Sequence, residues 1–324
     1  MKAILVAKHG GPEVLEWHVH EIGKPGPGQV RIRHEAIGLN FIDVYFRSGL
    51  YPAPNGLPLV PGNEGAGVVS AVGEGVDLFK EGDRVAYAGP IGAYAQERLI
   101  AAEKLVRVPD DIELDLAAGM MLKGMTAEYL LRRTYAVKPG DTILYHAAAG
   151  GVGLIVGQWA KALGATVIGT VGSKEKAELA MANGFDHVIN YRSEDFVERV
   201  KEITGGKGAD VVYDSVGKDT FPGSLDCLKP RGLWASFGQS SGMIEPFDIS
   251  LLARKGSLFA TRPILFDYIA SRAELEASAN CLFDVVSRGV VKIAINQRYE
   301  LAQAARAHSD LEERKTTGTT VLIP

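Results

Sequence analysis

The stretch from Asp141 to Gly172, DTILYHAAAGGVGLIVGQWAKALGATVIGTVG, constrains the fold more than any other. It opens with an apolar, β-branched run, Thr142 to Tyr145, and passes into small residues, Ala147-Ala148-Ala149-Gly150-Gly151-Val152-Gly153. Val152, Ile155, Val156, Trp159, Ala160 and Leu163 then recur at 3.6-residue spacing, which predicts an amphipathic helix. Gly164 stops that helix, and Thr166 to Thr170 reads as a second buried strand. A strand, tight turn, helix and strand within about thirty residues is the setting that turns a glycine pattern into a dinucleotide fingerprint.

The chemistry explains the small residues. A pyrophosphate has to approach the backbone at the first helical turn, where free N–H groups and the helix dipole stabilise anions. A side chain at Gly150 or Gly151 would hold the phosphates off, and Gly153 lets the helix pack close to the strand. The pattern is Ala147-x-x-Gly150-x-x-Gly153, with alanine where the common fingerprint has its first glycine. At the end of the second strand a site for the non-phosphorylated coenzyme usually carries an acid for the ribose 2′-hydroxyl. Here the strand ends Val171-Gly172-Ser173, with no acid before Glu175 and with Lys174 and Lys176 at the next helix start. A carboxylate beside a 2′-phosphate would cost on the order of several kcal/mol. Glycine leaves room, serine donates and lysine supplies countercharge, so the expected coenzyme is NADPH.

With 324 residues the chain is long enough for two domains with substantial cores. Its net charge of −4 gives no global basic field for nucleic acid. No apolar run approaches the roughly 18 residues that span a bilayer, and the start, MKAILVAKHGG, reads as a short strand rather than a signal peptide. Cys227 and Cys281 are the only cysteines, which argues against a disulfide framework and fits the cytoplasm.

In chain order, residues 1 to about 110 are β-rich. Strands are expected at Val14 to Ile22, Gln29 to Ile37, Val68 to Val72, Arg84 to Tyr87, Ala93 to Leu99 and Lys104 to Val108. Short strands with frequent glycines suggest a small, partly open barrel. Gly38 to Leu50, with Asn40, Asp43, Tyr45 and Arg47, reads as a short helical or looped segment. A helix is expected over 113–136. The nucleotide unit then continues with helix 174–183, strand His187 to Asn190, helix 193–203, strand Asp210 to Tyr213, helix 218–228, strand Leu233 to Phe237 and a last strand Ser257 to Thr261. Strands alternating with helices make a doubly wound, six-stranded parallel sheet, an α/β class fold. Helices Arg272 to Arg288 and 302–313 and a strand Thr319 to Ile323 return the chain to the first domain.

Gly38-Leu39-Asn40-Phe41-Ile42-Asp43, Pro61-Gly62-Asn63-Glu64-Gly65-Ala66-Gly67-Val68-Val69, Gly82-Asp83-Arg84-Val85, His146 to Gly153 and Tyr213-Asp214-Ser215-Val216-Gly217 together carry a resemblance over the whole chain. The chain resembles the medium-chain dehydrogenase/reductase superfamily, and within it the NADPH-dependent quinone oxidoreductases related to zeta-crystallin. That resemblance implies a GroES-like catalytic domain over 1–122 and 263–324 and a Rossmann domain over 123–262. The zinc alcohol dehydrogenases of the superfamily have cysteine where this chain has Asn40 and histidine where it has Asn63, and their lobe of four cysteines is missing here. No catalytic metal is expected; His18 and His20 read as an exposed strand edge.

Without a metal to polarise it, the acceptor must already take hydride readily, which fits a quinone and next a conjugated enone or alkenal. The resemblance implies Asn40, Asp43, Tyr45 and Tyr51 as catalytic candidates round the nicotinamide end of a cleft. Ile42, Thr126, Gly172, Ser173, Lys176, Tyr191, Ser215, Phe237, Gly238, Ser240 and Arg262 join Asn40, Gly150, Gly151 and Val152 as coenzyme candidates. It also implies a homodimer through the edge strand 257–261. Relatives that bind single-stranded RNA offer a non-enzymatic reading, against which the net charge and the lack of a basic–aromatic stripe both weigh.

Overall fold

Short alternating runs broken by turns give the first part of the chain its strands. They are β1 (Lys2–Leu5), β2 (Glu16–Val19), β3 (Gln29–Gly38), β4 (Glu64–Val72), β5 (Arg84–Ala88), β6 (Glu97–Ala101) and β7 (Val106–Arg107), with the helix α1 (Phe41–Ser48) between β3 and β4. In the computed structural model, which describes residues 1–324, α2 (Leu114–Tyr129) follows. The chain continues through β8 (Thr142–His146), α3 (Gly151–Ala162), β9 (Thr166–Val171), α4 (Lys174–Ala182), β10 (His187–Asn190), α5 (Phe196–Ile203), β11 (Ala209–Asp214) and α6 (Gly223–Asp226). After β12 (Leu228–Ser236) come α7 (Ser250–Arg254), β13 (Phe259–Thr261), α8 (Leu265–Tyr268), α9 (Arg272–Ser287), β14 (Ile295–Glu300), α10 (Ala304–Glu312) and β15 (Thr319–Ile323).

The chain divides into two units: Met1–Met125 with Ile269–Ser287 and Ile293–Pro324, and Thr126–Tyr268 with Arg288–Lys292. In the first unit the main sheet runs β14-β15-β3-β4-β5-β7, with β6 beside β3. The long β3 pairs with β4 on one edge and shares its other edge between β6, at Gln29–Arg33, and β15, at Ile37–Gly38. One strand serving three partners wraps the sheet into the expected open barrel, closed over Ile32, Val69, Val85, Tyr87, Ile100 and Leu322. β1 and β2 form a separate antiparallel ribbon.

In the second unit six parallel strands run β10-β9-β8-β11-β12-β13. The order reverses between β8 and β11, which makes this the doubly wound sheet expected from the alternation of strands and helices. Ile155, Val156, Trp159 and Ala160 of α3 are buried, as their spacing requires.

The strands expected at Val14 to Ile22 and Lys104 to Val108 shorten to Glu16–Val19 and Val106–Arg107, because Val14 and Lys104 belong to 3-10 turns, and four further elements depart from the sequence reading. The helix expected over 218–228 is one turn, α6, because Gly217 is left-handed at φ +89° and Thr220 and Ser224 turn their hydroxyls on Asp214. The helix expected over 113–136 ends at Tyr129 and passes into a wider π turn over Leu130–Thr134. Residues 93–96 make only an isolated bridge, Ala3 with Ala95, so β6 starts at Glu97. β12 begins at Leu228, before the strand expected from Leu233. The run Lys229-Pro230-Arg231-Gly232 does not end it, because Arg231 takes φ +62° and the ladder with β11 shifts register there.

Candidate functional site

The carboxyl ends of the parallel strands gather one set of candidate residues. β8 ends at His146, and Ala147 then adopts φ +62°, the conformation that the common fingerprint gives to glycine. Gly150 caps α3 with no side-chain hydrogen bond, so Gly151 and Val152 open the helix with amides that no capping side chain has taken. A Cβ at Gly153 would lie 2.4 Å from the Ala148 carbonyl oxygen, and one at Gly150 3.2 Å from that of Ala147. The sequence predicts that Gly153 brings the helix close to the strand; its close approach is to the carbonyls of the turn that follows β8.

β9 ends at Val171. A Cβ on Gly172 would lie 2.5 Å from the Tyr191 hydroxyl, so the bare backbone and that ring lie against each other. Ser173 caps α4, its oxygen accepting from the Lys176 amide at 3.3 Å. Lys176 thus stands on the first turn of α4, beside Ser173. Ser215 follows β11, and its carbonyl accepts from the Ser240 amide at 3.1 Å. A Cβ on Gly238 would meet that same carbonyl at 2.7 Å. The Phe237 amide donates to Asp214 at 2.8 Å, and Arg262 donates through Nη1 to the Ser236 carbonyl at 2.8 Å. Thr126, on α2, is buried. With the exception of Thr126, the coenzyme candidates of this unit follow the ends of β8, β9, β10, β11, β12 and β13. Sheets of this kind bind ligands beyond those ends.

A second set lies in the first unit, built on α1. Asp43 is fully buried and carries the helix start: its Oδ2 accepts from the Asn40 amide at 3.0 Å. Oδ2 also accepts from the Tyr94 hydroxyl at 3.1 Å, and Oδ1 from Asn63 Nδ2 at 2.8 Å. Burial pushes its carboxyl up to about 6, against the pull of Asn63, Asn40 and Tyr94. Asn40 donates through Nδ2 to Glu64 Oε2 at 2.8 Å, and that oxygen also takes the Lys123 ammonium at 2.7 Å, with Oε1 on the Leu122 amide at 2.7 Å. Ile42 is half-buried beside them. Tyr45 is buried and Tyr51 half-buried, their ring centroids 5.1 Å apart.

Behind Asp43 the network continues. The Tyr94 hydroxyl lies 3.0 Å from His308 Nε2, Arg47 Nη1 donates to His308 Nδ1 at 3.1 Å, and Arg47 grips Glu312 through two bonds of 2.8 Å. Burial, with the Arg47 charge beside it, pushes His308 down to about 3, so the ring is neutral.

Sequence reasoning missed Lys123, Glu64, Tyr94 and His308. Lys123 had a signal: it is the one basic residue of α2, set between Leu122 and Gly124 in an apolar run, where a buried charge demands a partner. His308 had none, since 261 residues separate it from Arg47.

Comparison with known proteins completes the picture. Residues 26–137 match the alcohol dehydrogenase GroES-like domain and residues 151–262 the zinc-binding dehydrogenase family. A quinone oxidoreductase of Pseudomonas aeruginosa is 56% identical over 324 residues, covering 100% of this chain and 99% of that protein. The chain belongs to the quinone oxidoreductase family. The crystal structure of the Escherichia coli quinone oxidoreductase complexed with NADPH is 52% identical and superposes with a TM-score of 0.98, covering all of both chains. A 2-haloacrylate reductase of a Burkholderia species is 52% identical, over 99% of this chain and 98% of that protein.

The zinc in the name of one matching family has no fitting donor set here. No three His, Cys, Asp or Glu side chains converge on one point. Asn40 and Asn63 offer amides, which are poor zinc donors, and the Lys123 ammonium already occupies the Glu64 carboxylate. A divalent ion brought to that acid would meet a fixed positive charge.

Proposed function

We propose that this chain is an NADPH-dependent quinone reductase of the cytoplasm. The observation that carries the coenzyme half is the end of β9. It carries glycine and serine where a 2′-hydroxyl site needs an acid, with the base Lys176 on the first turn of α4. The bare Gly172, the capping Ser173 and the helix start at Gly150 fit a phosphorylated dinucleotide. The acceptor half is supported by the quinone oxidoreductases that share more than half of its residues.

When bound, NADPH supplies hydride. The chain's own work is to hold an acceptor and its oxygens. Asn40 is fixed from both sides, its amide N–H by Asp43 and its side chain by Glu64, so that it meets an acceptor or the coenzyme carboxamide without reorganising. Asp43 has no exposed surface, and in this reading it is a positioning residue that orients Asn40 and Asn63 rather than a group touching substrate. Tyr45 and Tyr51 offer ring faces for a flat quinone and hydroxyls for its oxygens. Both cysteines are free, which fits a reducing compartment. A second reading, reduction of a conjugated double bond, is favoured by the likeness to the 2-haloacrylate reductase. We propose further that two copies pair through β13.

The test is NADPH oxidation with a panel of quinones and with 2-haloacrylate and an α,β-unsaturated aldehyde, repeated with NADH. Wild type is expected to prefer NADPH and quinones. The Lys176→Ala variant is expected to lose about tenfold in NADPH affinity and little in NADH affinity. Retention of the full preference in that variant refutes the account of coenzyme choice.

A further inference from the structure

A buried group of side chains in the second unit plays no part in the reading above. His146 closes β8, Thr170 is the penultimate residue of β9, Asp214 closes β11 and Ser224 lies in α6; all four are buried. Ser224 Oγ donates to Asp214 Oδ2 at 2.8 Å. His146 lies between two hydroxyls, with Nε2 3.1 Å from Ser224 Oγ and Nδ1 2.9 Å from Thr170 Oγ1. Thr220 Oγ1 donates to both Asp214 oxygens, at 2.9 and 2.8 Å, and Oδ1 also accepts from the amides of Val216, at 2.9 Å, and Gly217, at 3.1 Å.

The protons can be assigned. An ionised carboxylate only accepts, so the one hydroxyl proton of Ser224 goes to Asp214. Ser224 Oγ then accepts from His146 Nε2–H, which leaves Nδ1 bare to accept from the Thr170 hydroxyl. Donation therefore runs from Thr170 to His146 to Ser224 to Asp214, across three strands. Burial lowers His146 and keeps it neutral. Burial pushes Asp214 up, but the hydrogen bonds from Ser224, Gly217 and Thr220 oppose it and leave the carboxyl below its ordinary range. Serine, histidine and aspartate here are not a nucleophilic triad. That chemistry needs the serine proton to pass to histidine, whereas here it points at the acid, and Ser224 has no exposed surface.

The location of this chain gives it a task. The ladder between β8 and β9 ends at the pair His146–Thr170, and that between β8 and β11 at Tyr145–Tyr213. At the ends of those ladders the chain passes into the turn 147–153, whose Ala148 amide still donates to the Thr170 carbonyl at 3.0 Å, the turn Gly172–Ser173 and the turn Ser215–Gly217. We propose that the Thr170–His146–Ser224–Asp214 chain reinforces the ends of the backbone ladders and sets the three coenzyme turns against one another, so that these are positioning residues for dinucleotide binding. Apolar packing fixes spacing, whereas hydrogen bonds fix direction as well, and a pyrophosphate held by backbone amides tolerates little misplacement. The proposal rests on the dinucleotide reading above.

Calorimetric titration of NADPH and of NADH, together with thermal midpoints of the apoprotein, tests it. Thr170→Val removes the hydroxyl at nearly constant volume and is expected to raise the Kd of both coenzymes by a similar factor, about fivefold. Thr170→Ser keeps the hydroxyl and is expected to bind as wild type. Should Thr170→Val fail to fold, Ser224→Ala, which breaks the same chain at its middle, is expected to give the same paired shift. A lowered thermal midpoint with both Kd values unchanged overturns the proposal, because the chain is then only structural. Loss of NADPH affinity alone also overturns it, because the effect is then confined to the 2′-phosphate turn. Lys176→Ala alters only the ratio of the two Kd values, so a failure of the coenzyme-choice account is seen separately.

Discussion

Ala147 sits at φ +62° with its methyl group exposed, at the fingerprint position usually given to glycine. A left-handed alanine costs roughly 1–2 kcal/mol. Glycine there would relieve that strain, while the freer unfolded chain takes back about 0.4–1 kcal/mol. Ala147→Gly is therefore expected to raise the unfolding free energy by no more than about 1.6 kcal/mol. Ala147→Val puts a β-branched side chain where the clash is worst and is expected to cost about 2 kcal/mol or more. Urea titration of the two variants separates these cases, and a valine variant as stable as wild type means that this residue is not left-handed in solution. The sequence at 147–153 displayed smallness, which is what a phosphate turn demands, but smallness does not reveal which residue has positive φ. Asn40 was legible because amides stand where relatives place metal ligands. Its partners were legible only in part. Glu64 lies beside Asn63 in the chain and Lys123 is an isolated charge in an apolar helix, whereas Tyr94 and His308 reach the site only through tertiary folding.

At the scale of elements, β8, α3 and β9 were readable because a buried parallel strand and an amphipathic helix each impose a period on the chain. Local polar competition defeated the reading elsewhere. Thr220 and Ser224 have the look of a polar helix face, but they spend their hydroxyls on Asp214 and leave only one turn, α6. β13 raises a different question, since it pairs with β12 alone and leaves its outer edge open. Phe259 is 62% exposed on it, with Ile264 at 43% nearby in sequence. Natural sheets rarely leave an apolar edge bare, and a second copy of β13 would cover it. Wild type is accordingly expected to be dimeric by light scattering, and Phe259→Lys to yield monomers or aggregates. A variant that remains dimeric places the interface elsewhere, and a monomeric wild type removes the proposal.

For the whole molecule, acid response follows from which unit holds which buried groups. His34 donates through Nδ1 to the Ala95 carbonyl at 2.7 Å and accepts through Nε2 from Tyr87 at 2.8 Å, so a proton added to it would break a bond. Burial pushes His34 and His308 each down to about 3. Between that value and the ordinary 6.5, the unfolded chain binds protons that the folded chain refuses, so stability falls as pH falls, by up to roughly 1.4 kcal/mol per pH unit for each histidine. Asp43, raised by burial to about 6, has the opposite sign. Between its unfolded value and 6 the folded state binds the extra proton, so acidification gives back about the contribution of one histidine. Two histidines against one aspartate leave a net loss of stability on going from pH 6 to pH 4. All three groups lie in the first unit, so their share of the loss belongs to the barrel and to the Asn40 network within it, while His146, also lowered by burial, adds a loss of the same sign in the second unit. Hydrogen exchange at pH 7 and pH 5 should report deprotection of β3, α1 and α10 in wild type. In a His34→Gln, His308→Gln double variant, in which neither site can take up a proton, the pH dependence of that protection should be lost or reversed in sign. An equal loss of protection in wild type and variant would mean that the acid-sensitive groups are elsewhere.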